Sequence, residues 1–381
     1  MSLIAKAPAP SKKVLNNFPD SDIVAIIDAD YCSFSCASVG DEDYIEVTHK
    51  ETGKSVEFKN VTEFYGRSKK TLGGWLGKIN TKRESQNKPP YSVEDFTIEK
   101  KKRRKQEYRI STDEEGNEVE TPIDMEQAKA NIFHSAKTVI LNDLKNLGTD
   151  NYEAYLGKGG RMREDISTLL KYKGNRDDIL KPLLFNEVAE YIGQAFDAQE
   201  VNHIETDDQV VIRAYGDPNA VVMGVDKDFY GQPVKFFNVN HPEDGIINCD
   251  CFGELKEYDS KKSKAIGYGR IFLYWQILAG DSSDNYKANC FSDVKYAGGS
   301  AYKDLKDCKD DKEALEKIIE VFKSLYPEPK VVTGWRGNEF LIDWLYVLRE
   351  QFKMAAMLRF VGDSRTIDTE FQKYGVEYNY E

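Results

Sequence analysis

Ile23-Val24-Ala25-Ile26-Ile27-Asp28, an unbroken apolar run ending in a carboxylate, decides the fold. A run this short reads as a strand buried on both faces, and such strands belong to parallel sheets covered by helices. Far along the chain, Ala220-Val221-Val222-Met223-Gly224-Val225-Asp226 repeats the arrangement. Around the two strands lie helical patterns: Met125 to Leu147, Ile179 to Phe196, Ala265 to Leu278, Lys312 to Leu325 and Glu339 to Leu358. Strands alternating with helices predict an α/β fold with a mainly parallel central sheet flanked by helices. A mainly helical C-terminal part is expected from about Ala265. In open sheets of this kind ligands gather at the C-terminal edges of the strands, where both carboxylates stand.

With 381 residues the chain can bury a full core. No stretch approaches the ~20 apolar residues of a membrane-spanning helix. Met1 to Asn17 carries Lys6, Lys12 and Lys13 but lacks the apolar segment of a secretory signal, so residues 1–19 read as a flexible arm of a cytoplasmic protein. The six cysteines, irregularly placed, read as reduced thiols rather than a disulfide framework. Cys32, Cys36, Cys249 and Cys251 have weak spacings for zinc. The net charge of −12 runs against nucleic-acid binding. A carboxylate metal site would carry part of that charge, however, and basic stretches can still guide a strand locally.

The segment from Gly40 to about Pro122 differs from its surroundings and reads as an inserted, charged region. Two hairpins are expected in it, Tyr44 to Phe58 turning at Thr52-Gly53 and Tyr108 to Val119 turning at Glu115-Gly116-Asn117. Between them lies Lys100-Lys101-Lys102-Arg103-Arg104-Lys105, either a solvated surface or a contact for phosphates.

The chemistry lies in acids grouped on four segments. Asp28 ends the first strand, and Glu205-Thr206-Asp207-Asp208 precedes a helix expected over Gln209 to Tyr215. Asp226-Lys227-Asp228 ends the second strand, and Gly280-Asp281-Ser282-Ser283-Asp284-Asn285 follows the helix Ile271 to Leu278. Singly, an Asp at a helix start is a cap and Asp-Lys-Asp a turn. Together they form a set of carboxylates that cannot stay ionised at close range without cations. Hard oxygen ligands suit Mg2+ or Mn2+, and two ions ~3.5–4 Å apart suit phosphodiester hydrolysis. Strand alternation at Asp-x-Asp would turn Asp226 and Asp228 to opposite faces.

In this order the motifs resemble those of the 5′-nuclease superfamily, in particular the bacteriophage 5′→3′ exonucleases and flap endonucleases related to the nuclease part of bacterial DNA polymerase I. The matching residues are Asp28, Lys171-Tyr172-Lys173-Gly174-Asn175-Arg176, Glu205-Thr206-Asp207-Asp208, Val225-Asp226-Lys227-Asp228 and Gly280 to Asn285. The resemblance implies a PIN-like sheet in a nuclease core over 20–285, interrupted by the insertion 41–122, with a helical arch over about 157–198. It further implies a helical DNA-binding region over 286–381 with a degenerate helix-turn-helix element. Asp28, Glu205, Asp207, Asp208, Asp226, Asp228, Asp281 and Asp284 would hold two Mg2+ or Mn2+ ions, directly or through water. Lys173, Arg176 and Arg163 would face the scissile phosphate. Lys171, Tyr172, Gly298, Gly299 and Ser300 would touch DNA bearing 5′ ends, nicks or flaps, or RNA–DNA primers, as in phage DNA replication or recombination. Leu156 stands where the family has a ligand Asp, and the turn Tyr296 to Ala301 leaves the family's potassium site open.

Two other readings compete. Asp28-Ala29-Asp30 after a strand, with Gly280-Asp281 and Asp284, also fits a haloacid-dehalogenase-like phosphatase, which leaves Glu205 to Asp208 and Asp226 to Asp228 without a role. A catalytically inactive nucleic-acid-binding relative would account for Leu156 but not for so much retained repulsion.

Overall fold

The computed structural model describes residues 18, 21–113, 115–160, 162–177 and 179–378, so the expected arm over 1–19 lies outside them except for Phe18. In chain order the elements begin with β1 (Val24–Asp28), α1 (Asp30–Ser38), β2 (Asp41–His49), β3 (Ser55–Phe58), α2 (Val61–Tyr65) and α3 (Gly74–Glu84). Next come β4 (Phe96–Arg104), β5 (Tyr108–Thr112), β6 (Glu118–Pro122), α4 (Met125–Leu147), β7 (Asn151–Gly157), α5 (Met162–Ile166), α6 (Phe185–Phe196) and β8 (Gln199–Val201). They are followed by α7 (Thr206–Ala214), β9 (Ala220–Gly224), β10 (Lys235–Asn238), β11 (Ile247–Asn248), β12 (Glu254–Asp259), β13 (Lys264–Tyr268) and α8 (Arg270–Ala279). The last are α9 (Gly298–Leu305), α10 (Asp311–Leu325), β14 (Lys330–Thr333), β15 (Glu339–Ile342), α11 (Trp344–Ala355) and α12 (Ile367–Tyr374). Two compact units result: the chain up to Cys32 with Lys137–Asp177 and Ala189–Glu381, and Ser33–Ala136 with Asp178–Val188.

The first unit is built on a mixed sheet of order β11-β10-β9-β1-β7-β8, in which only β11 runs antiparallel. Reading outward from β1, the chain first adds β7 and β8 on one side, then returns to add β9 and β10 on the other. The order therefore reverses between β1 and β9, and that crevice is where such sheets bind ligands. Alternation explains why both strands are apolar throughout. Ile26 and Val222 pack with Val210, Val211 and Ala214 of α7, while Ala25, Ile27, Val221 and Met223 are equally buried on the opposite face. On β7, Tyr152 meets Phe196 of α6 edge-on, with ring centres 5.8 Å apart.

A second core gathers around α8, where every side chain from Ile271 to Leu278 is buried among residues of α9, α10, α11 and α12. A helix apolar on all sides has to be enclosed. This C-terminal region is less uniformly helical than expected, because β13 of the β12–β13 hairpin runs to Tyr268 and β14–β15 forms a further antiparallel hairpin. The helix expected from Ala265 starts only at Arg270, after Gly269 with φ 83° ends the hairpin. The one expected from Glu339 begins at Trp344, where Asp343 caps it by accepting the Tyr346 N–H at 2.7 Å. Helix α6 starts at Phe185 rather than Ile179, since Pro182 disfavours helical geometry just before it. Among the described residues no helix is long and apolar enough to cross a membrane.

In the second unit the sheet β3-β2-β4 covers a core of Ile45, Val47, Phe58, Phe64, Leu76, Val93 and Phe96. The basic run forms most of β4, opposite the acidic half of β2. Asp43 meets Lys102 at 2.6 Å, Glu57 meets Arg103 at 2.6 Å, Asp41 meets Arg104 at 3.3 Å, and Glu46 pairs with Lys101. The second expected hairpin, β5–β6, is exposed along its whole length.

Candidate functional site

Asp28 is the last residue of β1, and Asp226 follows the end of β9 at Gly224 by two residues, so the two flank the crevice between these strands. Asp207 reaches the same place from the first turn of α7, whose preceding residue Glu205 is the N-cap. Asp28 and Asp207 share a hydrogen bond. Burial, then the charge of Asp30 and, further down, Asp226, push the Asp28 carboxyl up to about 7. Burial and Asp228 push Asp226 up to about 7, and burial with Asp28 and Asp226 holds Asp207 well above the usual carboxylate range. Among the described residues none of these three has a Lys or Arg within 4 Å.

The remaining acids are paired with cations. After Asp226 the chain makes a short 3-10 turn, Lys227–Gly231, started by the Asp228 N–H donating to Asp226 Oδ1 at 2.9 Å. The strand alternation expected for Asp226 and Asp228 therefore does not occur. Lys227 instead joins Asp228, 3.1 Å away, to Asp281, and Gln276 Nε2 donates to Asp228 at 2.6 Å. Asp281 also accepts the Ser283 N–H at 2.6 Å. Burial alone would raise Asp281, but the Lys227 charge overturns that and holds it low. Asp284 accepts from Arg176 at 3.0 Å and from Tyr172 Oη at 3.2 Å, with Lys173 Nζ 4.0 Å away; burial still leaves it raised.

Glu205 ties this group to α5. Lys173 Nζ lies 2.6 Å from it, Arg163 2.5 Å, and Tyr172 Oη stands 3.0 Å from both its oxygens, so its one O–H proton is divided between Glu205 and Asp284. Against burial, the Arg163 and Lys173 charges hold Glu205 below its ordinary value. Lys173 sits in the left-handed region at φ 53°, which projects it from a turn fixed by its own N–H to Asp284 O at 3.0 Å and by Asn285 Nδ2 to Lys171 O at 2.9 Å. Upstream, Glu350 of α11 accepts the N–H of Thr168 at 3.1 Å and of Leu169 at 3.0 Å, and Trp335 donates to Ser167 O at 2.9 Å.

The structure thus gathers Asp28, Glu205, Asp207, Asp226, Asp228, Asp281 and Asp284 with Lys173, Arg176 and Tyr172. Asp208 is turned inward. It is fully buried, with one oxygen on Arg163 at 2.6 Å and the other on Arg163 at 3.2 Å and the Leu358 N–H at 2.8 Å. Arg163 is buried too, and also donates to Met354 O at 3.1 Å and Ala356 O at 3.3 Å. Lys171 pairs with Asp177 at 2.5 Å. Gly298, Gly299 and Ser300 open α9, where a Cβ at 298 would stand 3.2 Å from Trp275 and one at 299 would stand 3.3 Å from Tyr258. Leu156 is buried on β7. Cys32, Cys36, Cys249 and Cys251 are free thiols.

Sequence reasoning missed the roles of three residues, of which Asp30 figured only in the phosphatase alternative. Lys227 was visible only as the middle of a turn, and Gln276 only as one polar residue in an apolar helix. Asp30 accepts from Gly157 N at 3.1 Å and from Thr206 Oγ1 at 2.7 Å, fastening β7 and α7 beside Asp28. As the side chains stand, no three His, Cys, Asp or Glu among the described residues converge in a geometry that could hold a metal ion. Lys173 and Lys227 balance part of the carboxylate charge in this arrangement. No protein-family model matches the chain, and no curated protein matches it.

Proposed function

We propose that the chain is a divalent-metal-dependent 5′→3′ exonuclease or flap endonuclease acting on DNA near 5′ ends. The observation that carries this reading is the meeting of acids from four segments in the crevice between β1 and β9, beside the cations Lys173 and Arg176. The donors fit hard divalent cations. All are carboxylates, and Asp28, Asp207 and Asp226, which have no cationic partner within 4 Å among the described residues, are raised by burial and by the charges of neighbouring acids, so a positive ion between them would relieve that repulsion. On this reading Asp28, Asp207 and Asp226 lead the ligand set, with Asp228, Asp281, Asp284 and Glu205 completing it directly or through water.

When bound, Mg2+ or Mn2+ supplies a water of lowered pKa and polarises the phosphodiester. Lys173 and Arg176 hold positive charge beside the reacting phosphate and offset the negative charge that builds on it. Tyr172 orients Glu205 and Asp284 through its hydroxyl. Asp208 and Arg163 act as a positioning pair that fixes the start of α7, and Asp30 does the same for the exit of β1. Asp30 has both oxygens committed to this task, which counts against an aspartyl-phosphate phosphatase needing it as acid and base.

The sheet is then PIN-like, residues 157–198 form the family's arch, and the turn Tyr296 to Ala301 that leads into α9 takes the place of its helix-turn-helix. The test is product analysis on matched nicked, blunt and flap duplexes with Mg2+, Mn2+ and EDTA. Short 5′ products that require the metal support the proposal, and undiminished cleavage in EDTA overturns it.

A further inference from the structure

The second unit holds a groove of about 350 Å3 beside the β3–β2–β4 sheet. That volume falls within the roughly 300–1,000 Å3 of small-molecule sites. Its lining is mostly apolar surface, to which Ile45, Val61, Ile179 and Leu180 contribute. Ile179 is 58% exposed and Leu180 39%, so apolar surface is left open to water there. A bare apolar channel would carry no information about its occupant, but this one is bordered by Lys59, Lys100 and Lys101.

Charge separates Lys59 and Lys100 from the other bases of this surface. Lys101, Lys102, Arg103 and Arg104 are each paired with an acid of β2 or β3. Lys100 stands opposite Ile45 in the register, and neither it nor Lys59 has a carboxylate within 4 Å among the described residues. Asp43, also at the groove, is occupied by Lys102. The border therefore carries two uncompensated positive charges over an apolar floor. A complementary ligand needs spaced anionic groups and flat apolar faces on one chain. Single-stranded nucleic acid has both, whereas a duplex keeps its base faces stacked inside.

We propose that this groove binds a single-stranded stretch of nucleic acid, with bases against Ile45, Val61, Ile179 and Leu180 and phosphates at Lys59 and Lys100. The choice of nucleic acid over another polyanion rests on the nuclease reading; the groove itself does not.

The test measures binding of a fluorescent oligothymidylate of about a dozen nucleotides to the full chain in EDTA, where a metal-dependent nuclease is silent, over a salt series. Lys59→Gln/Lys100→Gln should weaken binding about tenfold and lower the slope of log K against log salt by about 1.4, the value for two lost phosphate contacts on a single strand. Ile179→Ser/Leu180→Ser should weaken binding while leaving the slope alone. An unchanged melting temperature in both variants guards against misfolding. Equal affinity and slope in wild type and the lysine variant overturn the proposal, as does a lysine-dependent attachment to phosphatidylserine vesicles with no lysine effect on the oligonucleotide. Cleavage by the wild type is scored separately with Mg2+. Lysine-dependent binding without any cleavage sinks the nuclease reading and keeps the groove; cleavage with lysine-independent binding does the reverse.

Discussion

Asp28 and Asp226 hold their protons to about pH 7, first because they are buried and then because they face other acids. In an unfolded chain a carboxyl of this type titrates near 3.9. Between those values the folded protein binds more protons than the unfolded one, so the contribution to stability is full below about pH 4 and is lost as pH rises through about 7. In EDTA the melting temperature should therefore fall between pH 5 and pH 8, and saturating Mg2+ at pH 8 should raise it by several degrees, at roughly 1–2 °C per kcal/mol for a protein of this size. A melting temperature indifferent to both pH and Mg2+ would sink this account. Lys173→Ala should slow single-turnover cleavage on the order of 10²–10³-fold, the scale of one lost charge-stabilising group. Asp28 was legible because an apolar run has no packing reason to end in a carboxylate. The partners of Asp208 were not, since its bond to Arg163 joins residues 45 apart in sequence.

At the scale of elements, the buried Arg163–Asp208 pair joins α5 to α7 and both to the stretch after α11. Removing one member leaves the other charged and unpaired, so Arg163→Ala should cost about 3–5 kcal/mol in denaturant unfolding. A loss under 1 kcal/mol would show that water reaches the pair. Glu350 fixes the loop that leads to Tyr172 and Lys173. Glu350→Ala orphans two backbone N–H groups at about 1–3 kcal/mol each. Hydrogen exchange at Thr168 and Leu169 should then accelerate while the amides of β1 and β9 stay protected. Periodicity located α4 to the residue, Met125 to Leu147. It failed for β4, because a run of six bases has no apolar rhythm; what makes it a strand is the acidic face of β2.

For the molecule as a whole, the inserted region begins and ends close together. Lys105 N donates to Gly40 O at 2.8 Å, and Ile123 N donates to Glu107 O at 2.8 Å, so a short bridge can close the gap it would leave. With its own core around Phe64 and Phe96, residues 41–122 should be dispensable to the parallel sheet. Replacing them with a brief Gly/Ser linker should give a protein with one cooperative thermal transition that Mg2+ still shifts upward. Loss of the transition would mean that the sheet depends on the insertion. The chain displayed its fold class through two apolar strands, but the order in which strands join is set by pairings such as Val24 with Asn151 and Ala220, which no local pattern encodes.

Lys227 and Lys173 sit among the carboxylates like tenants holding a place. On the nuclease reading, the chain brings its own counterions and needs no imported ion to mature. Loading with metal then becomes an exchange, in which ammonium groups and protons step aside and the freed lysines turn toward whatever anion arrives.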